Sequence, residues 1–209
     1  KFMDRELGQV YDAAYAKLGD NTLFVLTSDH GSQWPFGKWN LYDAGIRTSF
    51  LAVWPGQIEP DSRSEAMVSW IDILPTLIDA AGGKPPEKID GRSFLPVLRG
   101  ATDVHRNAIF TTHSADGTMN VYPMRSVRTE KWKYIRNLRP DALHTTHIDR
   151  GKAVDGNAYW RTWLEKAKGD PRAAAVVERY HHRPSEELYN LRNDPLEDHN
   201  LAEEPGNAD

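Results

Sequence analysis

An aspartate and a histidine stand side by side in Thr27-Ser28-Asp29-His30-Gly31, directly after the short apolar run Thr22 to Thr27. An Asp oxygen beside a His nitrogen can help hold a divalent cation where a chain leaves a strand and neighbouring side chains turn toward one point. The same five residues also suit a polar turn capped by Asp29, with His30 half exposed. Two donors are too few for a closed site, since Ca²⁺ takes about six to eight oxygens, so other ligands must come from elsewhere. Lys38, in the following loop, reads by its type alone as a solvated lysine. Further on, Arg125, Arg128, Lys131, Lys133, Arg136 and Arg139 place six basic residues in fifteen positions, with Glu130 the one acid among them. Strand alternation puts Trp132 and Tyr134 on one face and Lys131 and Lys133 on the other. That pattern fits an ordinary hairpin with a solvated basic face, or a rim that attracts an anionic glycan. His113 at a strand end is more often structural than functional. His144, His147, His181 and His182 have no carboxylate or cysteine framework around them and read as surface residues.

The elements that must position these groups are legible in outline. Phe2, Leu7, Val10, Tyr11, Ala14 and Leu18 give a helical stripe over Phe2 to Leu18, and Gly19 suits its C-terminal cap. Thr22 to Thr27 resembles a central parallel strand buried on both faces. Ser49 to Trp54 is a second strand, Ile71 to Ala81 a helix, and Phe94 to Arg99 a short helix. After about Asn107 strands are predicted over 108–112, 121–129, 132–136 and 187–191, the middle two forming an antiparallel hairpin around Glu130-Lys131. Helices are predicted over 157–168 and 171–180, the latter with Asp170 as N-cap and Pro171 at its first position. The tail 202–209 reads as frayed. The expected organisation is therefore α/β, with a partial parallel sheet and helices over 1–106, then a small α+β subdomain with an antiparallel sheet over 107–209.

Composition narrows the functional classes. The chain has 209 residues, 26 Lys+Arg against 30 Asp+Glu, a net charge of −4, and 39% apolar residues. Seven Trp, eight Tyr and six Phe supply core-forming area and exclude wholesale disorder. The longest apolar runs are five residues (Phe50 to Trp54 and Ala173 to Val177), too short for a membrane span. The mildly acidic total argues against bulk nucleic-acid binding, and no signal peptide is visible. With no cysteine, disulfides, thiolate zinc sites and a cysteine nucleophile are excluded within this chain.

Seven short motifs in order resemble the type I sulfatases: Thr27-Ser28-Asp29-His30-Gly31; Gly37-Lys38-Trp39-Asn40-Leu41-Tyr42; Gly45-Ile46-Arg47; Trp54-Pro55-Gly56; Asp72-Ile73-Leu74-Pro75-Thr76-Leu77; Asp90-Gly91-Arg92-Ser93; and Glu187-Leu188-Tyr189-Asn190-Leu191 followed by Asp194-Pro195. Tyr122-Pro123-Met124-Arg125-Ser126-Val127-Arg128 is similar to the heparan N-sulfatases, or sulfamidases. The resemblance implies an alkaline-phosphatase-like fold that removes sulfate from a sulfated sugar or glycosaminoglycan. It implies a divalent metal, usually Ca²⁺, with Asp29 and His30 among its ligands, and a role for Lys38 on the sulfate. It further implies that His113 and Asp116 line a sugar pocket, that Arg47 braces the loop, and that the protein is exported (periplasmic, secreted or lysosomal). A homo-oligomer is compatible with it. The family's nucleophile is a formylglycine made from Cys or Ser in Cys/Ser-x-Pro-x-Arg. Here the one Pro-x-Arg, Pro123-Met124-Arg125, has Val121 at the nucleophile position. The chain thus looks like the C-terminal half of a sulfatase, not expected to turn over substrate alone. Two other readings stand beside it: a phosphonate or phosphate monoester hydrolase of the same superfamily, and a non-catalytic glycan-binding module.

Overall fold

The computed structural model describes residues 1–152 and 156–206. The elements run α1 (Phe2–Leu18), β1 (Phe24–Thr27), α2 (Asp43–Ile46), β2 (Phe50–Val53), a 3-10 turn (Trp70–Asp72), α3 (Ile73–Ala80), α4 (Leu95–Leu98), β3 (Ile109–His113), β4 (Met124–Arg128), β5 (Trp132–Asn137), α5 (His147–Arg150), α6 (Gly156–Ala167), α7 (Pro171–His181) and β6 (Glu186–Asn190). The last three residues of the tail expected to fray lie outside the described residues. Two compact units emerge. One is Lys1–Ser28 with Ser49–Asn107; the other is Asp29–Thr48 with the chain from Ala108 onward. The division differs from a single cut at 106/107 in one segment, the loop 29–48, which groups with the later residues.

In the first unit α1 ends at Gly19, whose φ of 76° is open to glycine without strain. Its contacts are aromatic: Tyr11 meets Tyr15 at 4.5 Å and Phe24 at 5.3 Å between ring centroids. The Tyr15 hydroxyl lies 2.9 Å from the Thr22 carbonyl and 3.1 Å from that of Val53, tying α1 to the strand pair. β1 and β2 pair antiparallel, Phe24 opposite Val53 and Thr27 opposite Phe50. This corrects the parallel pairing expected for β1, and its residues are half-buried rather than buried on both faces. The cause is topological. A parallel partner needs a crossover that carries the chain back to the strand's start. Here the link returns to the end it left, where the Ser28 N–H donates to Ser49 O at 3.2 Å.

Asp72 organises the rest of this unit. Its carboxylate is fully buried and accepts from the backbone N–H groups of Ser69 and Arg92, each at 2.9 Å, from Arg106 Nε at 2.6 Å, and from Arg106 Nη2. His105 Nε2 lies 3.1 Å away. Burial pushes the Asp72 carboxyl up, but Arg106 and the two amides outweigh it and hold the group down at about 2. Burial lowers His105 despite the adjacent carboxylate, so a neutral imidazole donates to Asp72.

The second unit is built on the antiparallel sheet β3-β4-β5-β6. Register sets Met124 opposite both His113 and Asn137, and Tyr134 opposite Leu188. Its core joins Tyr122, Met124, Ile135 and Tyr189 from the sheet region to Leu41 and Tyr42 from the 29–48 loop. A second cluster holds Ile148, Trp160 and Tyr180, from α5, α6 and α7. α7 begins as its cap predicts, with Asp170 Oδ1 accepting from Arg172 N at 2.9 Å.

Two basic residues are buried, one of them against the sequence reading. Lys133 is fully buried, not part of a solvated face: its ammonium lies 2.7 Å from Asp43 Oδ1 and 3.5 Å from Glu197 Oε1, and donates to Leu41 O at 2.9 Å. Arg183 is also buried, against the rings of Phe36, Tyr42, Tyr122 and Tyr180, with Nη2 donating to Asn40 Oδ1 at 2.6 Å. His144, read as a surface residue, is 1% exposed and 3.3 Å from Arg183 Nη2. Burial and that neighbouring charge hold its imidazole well below the usual range, hence neutral. His147 and His181 are half-buried, and His182 is exposed as expected.

Candidate functional site

The residues singled out for chemistry all fall in the second unit. Asp29, His30 and Lys38 share one loop, and its backbone explains how. The Gly31 N–H donates to Gly45 O at 2.9 Å, and the Lys38 N–H donates to Ser32 O at 2.8 Å. The loop therefore closes on itself, and the Lys38 backbone is tied two residues beyond His30. Three glycines permit the closure. A Cβ on Gly37 would lie 2.0 Å from Ser32 O, one on Gly31 2.0 Å from Ala44 O, and one on Gly45 2.3 Å from Gly37 O. No side chain fits any of these positions.

Asp29 is largely exposed, with Oδ2 3.5 Å from His30 Nε2. His30 Nδ1 is 2.6 Å from Gly31 O, which makes that nitrogen the donor and leaves Nε2 on the Asp29 side. A ring nitrogen and a carboxylate oxygen so placed can share a proton or a cation. The donor chemistry thus fits two ligands of a divalent cation. Among the described residues, no cluster of three or more His, Asp or Glu side chains completes such a site. An imidazole is a softer donor than Ca²⁺ prefers.

Lys38 makes no ion pair among the described residues. Its ammonium sits over the Trp39 ring, 4.7 Å from the centroid. Trp39 in turn stacks on His147, centroids 4.9 Å apart and planes at 22°. His147 Nδ1 lies 2.9 Å from Asn120 Nδ2 and 3.1 Å from Asn120 Oδ1. The Asn120 carbonyl is 2.9 Å from His113 Nε2. Lys38 and His113 are thereby joined through Trp39, His147 and Asn120. Asp116 is not brought in. It sits in the exposed turn bridged to Met119, and its carboxylate has no partner among the described residues. Arg47 is exposed, and its side chain braces nothing among the described residues.

Reasoning from sequence missed Trp39, Asn120 and His147 as members of this strip. Trp39 stood inside a quoted motif, but only for its order in the chain. The one further signal was Asn120, a residue type that tolerates the left-handed backbone it adopts, with φ 50°.

The family model and the fold agree on a class, the sulfatases. The 2-O GAG sulfatase structure superposes with a TM-score of 0.68 at 24% identity, over 97% of this chain and 36% of that one. The family model described as N-sulphoglucosamine sulphohydrolase, C-terminal, matches residues 30–150. The chain belongs to that family and corresponds to the C-terminal region of a type I sulfatase. An ulvan-active sulfatase of Formosa agariphila is 35% identical over 206 residues, 96% of this chain and 37% of the relative. Human N-sulphoglucosamine sulphohydrolase is 28% identical over 97% of this chain and 42% of its own length. The chain thus spans about two fifths of the curated relatives it matches.

Proposed function

We propose that the intact protein carrying this chain is a sulfuric ester or sulfamate hydrolase that removes sulfate from a sulfated sugar. The single observation that supports the reading is the self-closed loop of a sulfatase-family chain, which carries Asp29, His30 and an ammonium with no carboxylate partner among the described residues. Asp29 and His30 would hold a divalent cation, which when bound supplies a fixed positive charge for orienting the sulfate. Lys38 neutralises charge that develops on the sulfuryl oxygens as the S–O or S–N bond breaks. His113 would line the sugar side of the site. The nucleophile, a formylglycine by family type, would come from outside these 209 residues. An exported location goes with the same reading. On that reading the substrate is a sulfated saccharide, in keeping with relatives named for ulvan and for N-sulphoglucosamine.

The test is a comparison of sulfate and phosphate monoesters with the intact protein, with and without Lys38→Ala. Sulfate esters are expected to turn over faster, and the substitution to lower kcat by about a hundredfold. Faster phosphate hydrolysis, or a Lys38→Ala enzyme as active as the parent, sinks the reading.

A further inference from the structure

Two histidines share a single residue. The Asn120 carbonyl faces His113 Nε2 and its side-chain amide faces His147 Nδ1, at 2.9 Å in each case. A carbonyl can only accept, so His113 carries its proton on Nε2 and presents Nδ1 as an acceptor. The amide nitrogen can only donate, so its shorter contact leaves His147 Nδ1 as the acceptor and puts the proton on Nε2. Among the described residues neither His113 Nδ1 nor His147 Nε2 has a partner. One residue thus sets two imidazoles in the same Nε2–H tautomer but grips them by different nitrogens, Nε2 of His113 at the end of β3 and Nδ1 of His147 at the start of α5.

The backbone of Asn120 enforces the arrangement. Its left-handed φ turns its carbonyl and its side chain toward different neighbours, a conformation that β-branched residues resist. Arg125 supports the β3 side, with Nη1 3.2 Å from His113 O. On the other side, the stack on Trp39 fixes the plane of the His147 ring, and the same indole carries the Lys38 ammonium. A group held by Lys38 is therefore one aromatic ring away from a fixed N–H donor.

We propose that His147 is a specificity-determining contact for the saccharide, with Asn120 as its positioning residue. Through Nε2–H, His147 donates to an oxygen substituent of the sugar other than the scissile sulfate, while His113 accepts from a sugar hydroxyl through Nδ1. The proposal rests on the sulfatase reading above and deepens it. It assigns to one histidine a role that spacing in the sequence did not indicate.

The experiment pairs two substrates in the intact enzyme: a sulfated glucosamine saccharide and an aryl sulfate, which has no sugar substituents to read. His147→Ala is expected to lower kcat/KM for the saccharide about tenfold more than for the aryl sulfate, mainly through KM. That is the size of one lost hydrogen bond to a polar substrate. Asn120→Ala is expected to show the same selective loss in weaker form. His147→Gln, which keeps a donor, should recover part of it. Equal losses on both substrates would make His147 a purely structural residue and overturn the inference. If the parent enzyme cleaves neither sulfate, it is the sulfatase reading that fails. In that event long-range ¹H–¹⁵N spectra of the imidazoles decide the inference. They are expected to show the Nε2–H tautomer for both His113 and His147, a mixed His147 in Asn120→Ala, and a His147 Nε2 shift on adding the saccharide. An Nδ1–H tautomer at either ring, or no shift, overturns it.

Discussion

Two buried carboxylates in different units, Asp72 and Glu197, answer burial in opposite ways. Asp72 collects two backbone amides, a two-pronged Arg106 contact and His105, and its carboxyl is held down at about 2. Glu197 is equally hidden from water, but Oε2 accepts one amide, from Asp43 at 2.6 Å, and Oε1 has no hydrogen bond. Lys133 is within ion-pair range of Oε1 at 3.5 Å, yet it is closer to Asp43. Burial therefore dominates, and the Glu197 carboxyl is pushed up to about 7. Asp43 takes the larger share of the cation. Burial pushes it up, but Lys133 and Arg128 outweigh that and hold it below the ordinary range. Burial alone thus does not set the direction; the number of donors reaching the oxygens does.

The comparison can be broken by substitution. Replacing Asp72 with Ala strands Arg106 and two amides in a dry site, and urea unfolding is expected to show a loss of about 3–5 kcal/mol. A loss below about 1 kcal/mol would mean that the donors are re-satisfied and that the hub is not structural. Lys133→Met leaves Asp43 and Glu197 without their shared ammonium. It is expected to cost about 3 kcal/mol at pH 8 and visibly less at pH 5, where Glu197 takes up a proton. A pH-independent cost would place the negative charge elsewhere.

Acid titration sharpens the contrast. Asp72 is depressed from 3.8 to about 2, so its contribution is complete above pH 4 and lost as pH falls through 2, roughly 2 kcal/mol in all. Glu197 is raised from 4.5 to about 7, so between those values the unfolded chain sheds a proton that the folded chain keeps. Stability should therefore fall as pH rises from about 4.5 to 7, by an amount of order 1–3 kcal/mol, and level off above. Glu197→Gln is expected to abolish that slope and leave the acid limb of Asp72 unchanged. Chemical denaturation across pH 2 to 8 reads both limbs. The smallest effect belongs to Arg47→Ala, for which no change in the unfolding midpoint is expected.

Local signals carried much of this far. α1 and α7 sit where periodicity and caps predict them, and β4 and β5 form the hairpin marked by Glu130-Lys131. The short helices α2 and α5 escaped notice, being too brief for a periodic pattern. The larger misreadings share one cause. Lys133 and His144 read as solvated from the sequence, and Arg183 escapes notice, because the partners that permit their burial lie far off in the chain. Leu41, which accepts from Lys133, is 92 residues away, and Asn40, which accepts from Arg183, is 143 away. Asp29, His30 and Lys38 were legible because they are local to one loop. The Trp39–His147 stack was not, since nothing in either neighbourhood points to the other.

That loop lies near the beginning of these residues and depends on their far end. Tyr42 donates to Glu187, 145 positions later, and Asp43 to Glu197, 154 positions later. A ribosome delivers the anchors of the turn long after the turn itself, so a later stretch of chain determines when an earlier one acquires its shape. A protein cut short before Glu187 would retain every candidate ligand and lose both anchors of the loop that carries them.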